Sequence, residues 1–202
     1  MIRKSRWKTA VVVGTQIAAL ALVSGARAST VERSIRLWCG RRLVTVASNA
    51  PLIFGTDGDD VILAVGSGTH TIRALGGNDV VCGSVGDDTI YGGSGNDRID
   101  GRRGNDVIDG ETGDDVIFGN LGNDQLTGGE GLDFLFGLNG QDTLLGNTGD
   151  DLLDGGNGDD SLKGGAGADV IIGGHGLDRI EDVDAADVAF DADPAGLGVA
   201  RS

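Results

Sequence analysis

The chain has 202 residues, of which 31 are Asp or Glu, 16 are Lys or Arg, 38 are Gly and only 4% are aromatic. This composition argues against a compact core of large side chains, so the chain is either disordered or built from backbone ladders and small side chains. The acidic balance argues against nucleic acid and anionic membranes as partners and favours cations.

The first 28 residues have the features of a secretory signal peptide. Basic residues between Arg3 and Lys8 precede an apolar stretch over 10–23, and a small-x-small cleavage pattern ends at Ala28. We expect a secreted, extracellular protein that begins at Ser29, has a net charge of −20 and does not insert into membranes. An uncleaved anchor is the alternative, but the apolar stretch is short and interrupted by polar residues.

Residues 29–54 are predicted to form an N-terminal cap. They lack the repeat that follows, carry a net charge of +3 and contain several large apolar residues. A solenoid needs such a cap because its bare end exposes ladder groups and core. Cys39 in this segment and Cys82 in the repeat form an even pair, which suggests a disulfide in an exported protein; free or intermolecular thiols are the alternative.

Residues 55–181 divide into fourteen blocks of nine, with Ala64 inserted after the first block. Position 1 is Gly in twelve blocks, position 4 is Gly in all fourteen, position 6 is Asp in thirteen, and position 8 is always Ile, Val or Leu. Low-complexity drift would not keep four columns constant. Val65 and Ala74 are the exceptions at position 1, and His70 is the exception at position 6.

Each column has a structural interpretation. Glycine at positions 1 and 4 predicts a tight turn over positions 1–6, and positions 7–9 form a short strand with position 8 inward and positions 7 and 9 outward. Two blocks close one coil of eighteen residues, and strands stacked at about 4.8 Å form two parallel sheets around a thin core. An amphipathic helix is excluded because Gly recurs every nine residues.

The position 6 aspartates are the candidate metal ligands. Blocks two apart lie on the same side of the solenoid, so the aspartates form two columns. One column contains Asp60, Asp79, Asp97, Asp115, Asp133, Asp151 and Asp169, and the other contains Asp88, Asp106, Asp124, Asp142, Asp160 and Asp178 after His70. Carboxylates at this spacing repel by roughly 3 kcal/mol at an effective dielectric of 20. A cation between them relieves this repulsion, whereas isolated turn-forming aspartates would not recur thirteen times in register.

Oxygen ligands without thiols suit Ca²⁺, and the two columns contain eleven gaps, so we expect up to about eleven ions. The repeat resembles the RTX, or haemolysin-type, calcium-binding nonapeptide family over residues 55–181. The resemblance implies an all-β, right-handed parallel β-roll of about seven coils that folds on calcium and holds the ions between coils. Residues 182–190 look like a decayed block, and residues 182–202 form a C-terminal cap or tail.

No nucleophile, base or nucleotide-binding motif accompanies the repeat, so an enzyme is not expected. We expect a calcium-binding structural or interaction module, with a cell-surface adhesion platform as the alternative. The outward positions on the side of the Asp60 column are apolar in eleven of fourteen cases and include Phe118, Phe134 and Phe136. Such a strip marks a surface for a protein partner or a second copy, unless the tail folds over it.

Overall fold

The computed structural model describes residues 38–39, 42–181 and 186–190. The predicted signal peptide and the end of the predicted tail lie outside these residues. Nineteen strands and no helices are present in the described part. The strands are β1 (Trp38–Cys39), β2 (Arg42–Leu43), β3 (Val46–Ser48), β4 (Leu52–Phe54), β5 (Val61–Ala64), β6 (Thr71–Arg73), β7 (Val80–Cys82), β8 (Thr89–Ser94), β9 (Arg98–Arg103), β10 (Val107–Thr112), β11 (Val116–Leu121), β12 (Gln125–Glu130), β13 (Phe134–Asn139), β14 (Thr143–Thr148), β15 (Leu152–Asn157), β16 (Ser161–Ala166), β17 (Val170–His175), β18 (Arg179–Glu181) and β19 (Val188–Phe190).

From β3 onward, successive strands alternate between two sheets. The odd-numbered strands β3 to β19 form a nine-stranded sheet, and the even-numbered strands β4 to β18 form an eight-stranded sheet. Neighbours within each sheet are parallel and one coil apart, as Ile117 shows by pairing with Ile99 on one side and Leu135 on the other. The prediction of a parallel β-roll is therefore confirmed.

The solenoid has about eight turns, because strands from outside the repeat extend it at both ends. The fourteen blocks supply β5 to β18, which are the seven coils that the sequence predicts. Within the predicted cap, β3 pairs with β5 and β4 pairs with β6. At the other end β19, from the decayed block, pairs with β17.

The predicted division between turn and strand is wrong in the ten blocks that follow residue 88. Strands β8 to β17 are six residues long and run from position 7 of one block to position 3 of the next. The turn is confined to positions 4–6, because positions 1–3 continue the strand and pair with the adjacent coil. Position 2 adopts a left-handed conformation within the strand even where it is not glycine, as at Arg102 (φ 77°) and Leu138 (φ 76°).

The core is a single file of position 8 side chains from each sheet. These residues are almost fully buried from Ile62 to Ile171, with Ile180 partly buried at the end. Burying each such side chain contributes about 1.5–3 kcal/mol. As the sequence predicts, positions 7 and 9 of the six-residue strands point outward and are exposed or half-buried.

An additional apolar layer covers the first coils. Val61, Leu63, Val80 and Cys82 occupy outward positions but are buried, and Val44 and Val65 pack against them. The backbone of β1 lies beside β5 and β7 on this side of the solenoid. Among the described residues, no helix has the length and apolarity needed to cross a membrane.

Candidate metal centre

The position 6 aspartates form two continuous ladders along the solenoid. The backbone N–H of each aspartate donates to Oδ1 of the aspartate one coil later, as from Asp115 to Asp133 at 2.8 Å and from Asp133 to Asp151 at 2.9 Å. Twelve of the thirteen predicted aspartates are buried, and Asp178 in the last coil is half-buried. The structure thus places all thirteen in the two columns that the nine-residue period predicts.

The second carboxylate oxygen lacks a protein donor in most of the coils. Nine of these Oδ2 atoms are buried without a hydrogen-bond partner, and they belong to Asp79, Asp97, Asp106, Asp115, Asp124, Asp133, Asp142, Asp151 and Asp160. A buried carboxylate oxygen without a donor costs on the order of 1–3 kcal/mol or more. A regular series of such atoms indicates that a cation completes the site.

Glycine at position 1 keeps the space in front of each Oδ2 atom open. A Cβ atom added to Gly137 would lie 2.5 Å from Oδ2 of Asp142 and 2.6 Å from the carbonyl oxygen of Gly155 in the next coil. Gly155 has the same relation to Asp160 and to the carbonyl of Gly173, at 2.5 and 2.6 Å. Position 1 therefore requires glycine for lack of room; its backbone lies outside the left-handed region in the regular coils.

Two acceptors, one carboxylate oxygen and one carbonyl oxygen, thus face the same small space. When the carboxylate is ionised, the two oxygens cannot hydrogen-bond to each other, and a cation between them satisfies both. No three carboxylate, imidazole or thiol side chains converge on one point among the described residues, so each site depends on backbone oxygen. Carboxylate and carbonyl ligands suit Ca²⁺, whereas Zn²⁺ prefers imidazole and thiolate.

The raised pKa values of aspartates in the metal-free ladders also favour a cation site. Burial, together with repulsion from the neighbouring carboxylates of each column, raises the pKa of Asp106 and Asp115 to about 8, although the backbone N–H bond to Oδ1 opposes the shift. Burial likewise raises the pKa of Asp97 and Asp142 to about 6. A bound cation favours the ionised form and would reverse these shifts.

Asp60 and Asp88, the first aspartates of the two ladders, differ from the rest because protein donors reach both of their carboxylate oxygens. The N–H of Thr56 donates to Oδ2 of Asp60 at 2.7 Å, and the N–H of Ser84 donates to Oδ2 of Asp88 at 2.6 Å. His70 continues the second ladder through its backbone N–H, which donates to Oδ1 of Asp88 at 2.8 Å.

A second ladder at position 5 was missed in the sequence. There the backbone N–H donates to the side chain one coil earlier, as from Asn123 to Oδ1 of Asn105 at 2.8 Å, so its direction is opposite to that of the aspartate ladder. Asn or Asp occurs at position 5 in nine of the fourteen blocks, and this pattern could have predicted the ladder. Asp187 was also missed; its Oδ1 accepts the N–H of Asp169 at 3.0 Å and extends the ladder into the decayed block.

Comparison with known families agrees with this geometry. The model of the RTX calcium-binding nonapeptide repeat family matches more than half of the chain. The matched segments are residues 65–90, 73–108, 91–126, 109–144, 127–162 and 154–181. The chain therefore belongs to the RTX calcium-binding nonapeptide repeat family. A search of curated proteins found no match to the chain.

Proposed function

We propose that this protein is an exported calcium-binding module that folds on Ca²⁺ and serves a structural or interaction role instead of a catalytic one. The observation that carries the proposal is the series of buried Oδ2 atoms that lack a donor and face a glycine carbonyl, as in Asp142 and Gly155. Neither nucleic acid nor membrane lipid suits as a partner for so acidic a chain.

Calcium would act mainly by neutralising the ladders. The two columns contain six and five gaps between successive aspartates, which gives an upper limit of eleven ions. Eleven divalent ions would change the net charge of the mature chain from −20 to +2. Because the sites exist only in the folded chain, the binding free energy becomes folding free energy.

Far-ultraviolet circular dichroism tests this proposal. We expect a large gain of β signal when calcium is added to the chelator-treated mature protein, and a spectrum that calcium leaves unchanged would contradict the proposal. Asp115→Asn should raise the calcium concentration at the midpoint of this transition, because it weakens a buried ligand. Asp114→Asn is the matched control, since Asp114 is the exposed position 5 neighbour with the same charge.

Export and disulfide formation are parts of the same proposal. The basic and apolar segments before Ala28 support cleavage before Ser29, which mass spectrometry of the secreted protein tests directly. A Cys39–Cys82 disulfide is supported by the position of β1 beside β7 and by the absence of a free cysteine among the described residues. A mass increase of about 2 Da on reduction is expected, and an unchanged mass would exclude the bond.

Adhesion through the outer face of the odd-numbered sheet is the second candidate function. The rings of Phe118 and Phe136 stack with centroids 5.0 Å apart, and Phe134 beside them is exposed. An apolar surface of this kind usually contacts a partner. Phe134→Ser with Phe136→Ser should weaken self-association or partner capture. Thr143→Ser with Leu145→Ser, at the equivalent positions of the other sheet, should not.

A further inference from the structure

The N-terminal coils (residues 44–91) and the regular coils (residues 92–181) differ in the hydrogen-bond donors that reach the aspartate carboxylate of the turn. In the first block, Oγ1 of Thr45 donates to Oδ1 of Asp60 at 3.0 Å, while the N–H and Oγ1 of Thr56 donate to Oδ2 at 2.7 and 2.8 Å. Three protein donors therefore satisfy this carboxylate, and no oxygen of it is left without a donor.

Residue type at position 2 determines whether such a donor is present. Thr56 and Ser84 occupy position 2 and lie outside the left-handed region, and their N–H groups point at the carboxylates of Asp60 and Asp88. In the regular coils the position 2 residue is left-handed, as at Asn120 (φ 79°), and no donor reaches Oδ2 of Asp124 in the same block. A β-branched residue such as threonine rarely adopts that conformation.

The other two N-terminal blocks lack the open space or the carboxylate. Ala74 replaces glycine at position 1 and is fully buried, and the Oδ2 atom of Asp79 in its block lacks a donor. From the geometry of the equivalent glycines, we expect the methyl group of Ala74 to take the space in front of that atom. At the equivalent Gly92, one coil later, a Cβ atom would lie 2.5 Å from Oδ2 of Asp97 and 2.8 Å from the carbonyl oxygen of Gly110. In the remaining block, position 6 is a buried His70.

We infer that calcium binds only in the regular coils, beginning at Asp97, and that the residues at positions 1, 2 and 6 close all four N-terminal blocks to the ion. This inference rests on the proposed function and narrows it. Each site takes one Oδ2 atom together with the position 1 carbonyl of the next regular coil. Eight aspartates meet both conditions: Asp97, Asp106, Asp115, Asp124, Asp133, Asp142, Asp151 and Asp160. The capacity is therefore eight ions instead of eleven.

The N-terminal coils then act as a metal-independent base for the regular coils. Two of their three position 6 aspartates, Asp60 and Asp88, have protein donors at both oxygens. A second apolar layer, Val61, Leu63, Val80 and Cys82, buries the outer face of β5 and β7. The first regular coil stacks on this base, because the N–H of Asp79 donates to Oδ1 of Asp97 at 2.8 Å. A preformed edge of this kind removes the cost of nucleating the first turn of the solenoid.

Native mass spectrometry of the calcium-saturated mature protein tests the inference by counting ions. We expect eight for the wild type, nine for Ala74→Gly, nine for Ser84→Gly and seven for Gly92→Ala. Ala74 and Gly92 form a matched pair because they occupy position 1 in adjacent coils of the same column. Circular dichroism in calcium confirms that each variant is folded.

The two proposals fail in different ways. A wild-type protein that retains no calcium would contradict the proposed function itself. A wild type that retains eleven ions, or counts that stay equal to the wild type in both Ala74→Gly and Ser84→Gly, would overturn the inference while leaving calcium binding intact. An unchanged count in Gly92→Ala would show that the open space at position 1 does not decide occupancy, which also overturns it.

Discussion

The N-terminal coils and the regular coils share one period and one pair of sheets, yet different interactions stabilise them. Every residue of β5 and of β7 is buried, so these strands lie between two apolar layers. In β11 of the regular coils only Ile117 and Gly119 are buried, and the turns contain carboxylates without donors. The comparison shows that coils of one nine-residue repeat can differ in what stabilises them: a second apolar layer covers the N-terminal coils, whereas the regular coils contain buried carboxylate oxygens that a cation could bind.

Apolar burial and carboxylate repulsion together account for the difference in stability that we expect between the two regions. Each additional buried aliphatic side chain contributes about 1.5–3 kcal/mol without any cofactor. In the regular coils the outer face stays partly exposed, and carboxylates about 4.8 Å apart repel by roughly 3 kcal/mol at an effective dielectric of 20. We therefore expect the regular coils to depend on an external cation more strongly than the N-terminal coils do.

Chelation should produce the largest effect and should separate the two regions. We expect amide hydrogens of residues 92–181 to lose protection from exchange in chelator, because the ladders are no longer neutralised. Residues 44–91 should keep measurable protection, because Asp60 and Asp88 have protein donors and a second apolar layer covers β5 and β7. Hydrogen exchange followed by peptide mass spectrometry gives both results from one sample.

Equal protection of both regions in chelator would contradict the comparison, whether both are protected or both exchange freely. Peptides from β10 and β6 make a suitable pair, since both strands belong to the even-numbered sheet and lie in different regions.

Acid should partly replace calcium in the regular coils. In the metal-free fold, burial raises the pKa of Asp115 to about 8 and that of Asp97 to about 6, from an ordinary value of 3.8. These carboxylates therefore bind more protons in the folded state than in the unfolded chain. The stability that they contribute is fully present below pH 3.8 and is lost as pH rises through 6 to 8. Circular dichroism in chelator should show more β structure at pH 4 than at pH 8. Identical spectra at the two pH values would contradict this prediction.

Equivalent core substitutions should act differently in the two regions. Ile72 and Ile117 both occupy position 8 and are fully buried, and replacing either with alanine should cost about 2–5 kcal/mol. Ile117→Ala should raise the calcium concentration needed for folding and leave the chelator-resistant structure unchanged. Ile72→Ala should reduce the chelator-resistant structure itself. Exchange protection in chelator distinguishes them, and equal loss in both variants would show that the regions fold as one unit.

The sheets, the core column and the stacked aspartates were predictable because they follow from the period alone. Any fold that places Ile99, Ile117 and Leu135 in register also places the aspartates preceding them in register. The length of the strands was not predictable in the same way. Glycine at positions 1 and 4 suggests a turn over positions 1–6, but positions 1–3 continue the strand, because the ladder to the next coil continues past position 9.

The sequence predicts which aspartates form the two columns, but it does not show which of their carboxylate oxygens receive a hydrogen bond. Asp60 and Asp97 occupy the same column and the same block position, yet only Asp60 receives donors at both oxygens. That distinction depends on the direction of one N–H group at position 2. Thr56 and Ser84 could have indicated the different turn, because they are hydroxyl residues at a position that is otherwise often Gly or Asn.

The smallest predicted effect concerns that same backbone conformation. Glu111 occupies position 2 of a regular block with φ 71°, a left-handed conformation that costs a non-glycine residue about 1 kcal/mol. Glu111→Gly should raise the stability of the calcium-saturated protein by about 0.5–1 kcal/mol, since relief of strain exceeds the added entropy of the unfolded chain.

Glu130→Gly is the matched control, because Glu130 is an exposed strand residue of the adjacent coil that lies outside the left-handed region. The control removes the same charge but should lower stability by about 0.5–1 kcal/mol. Urea midpoints at saturating calcium measure both variants. Equal shifts would mean that the left-handed conformation at position 2 carries no cost, and position 2 would then not explain why the N-terminal coils use a different turn.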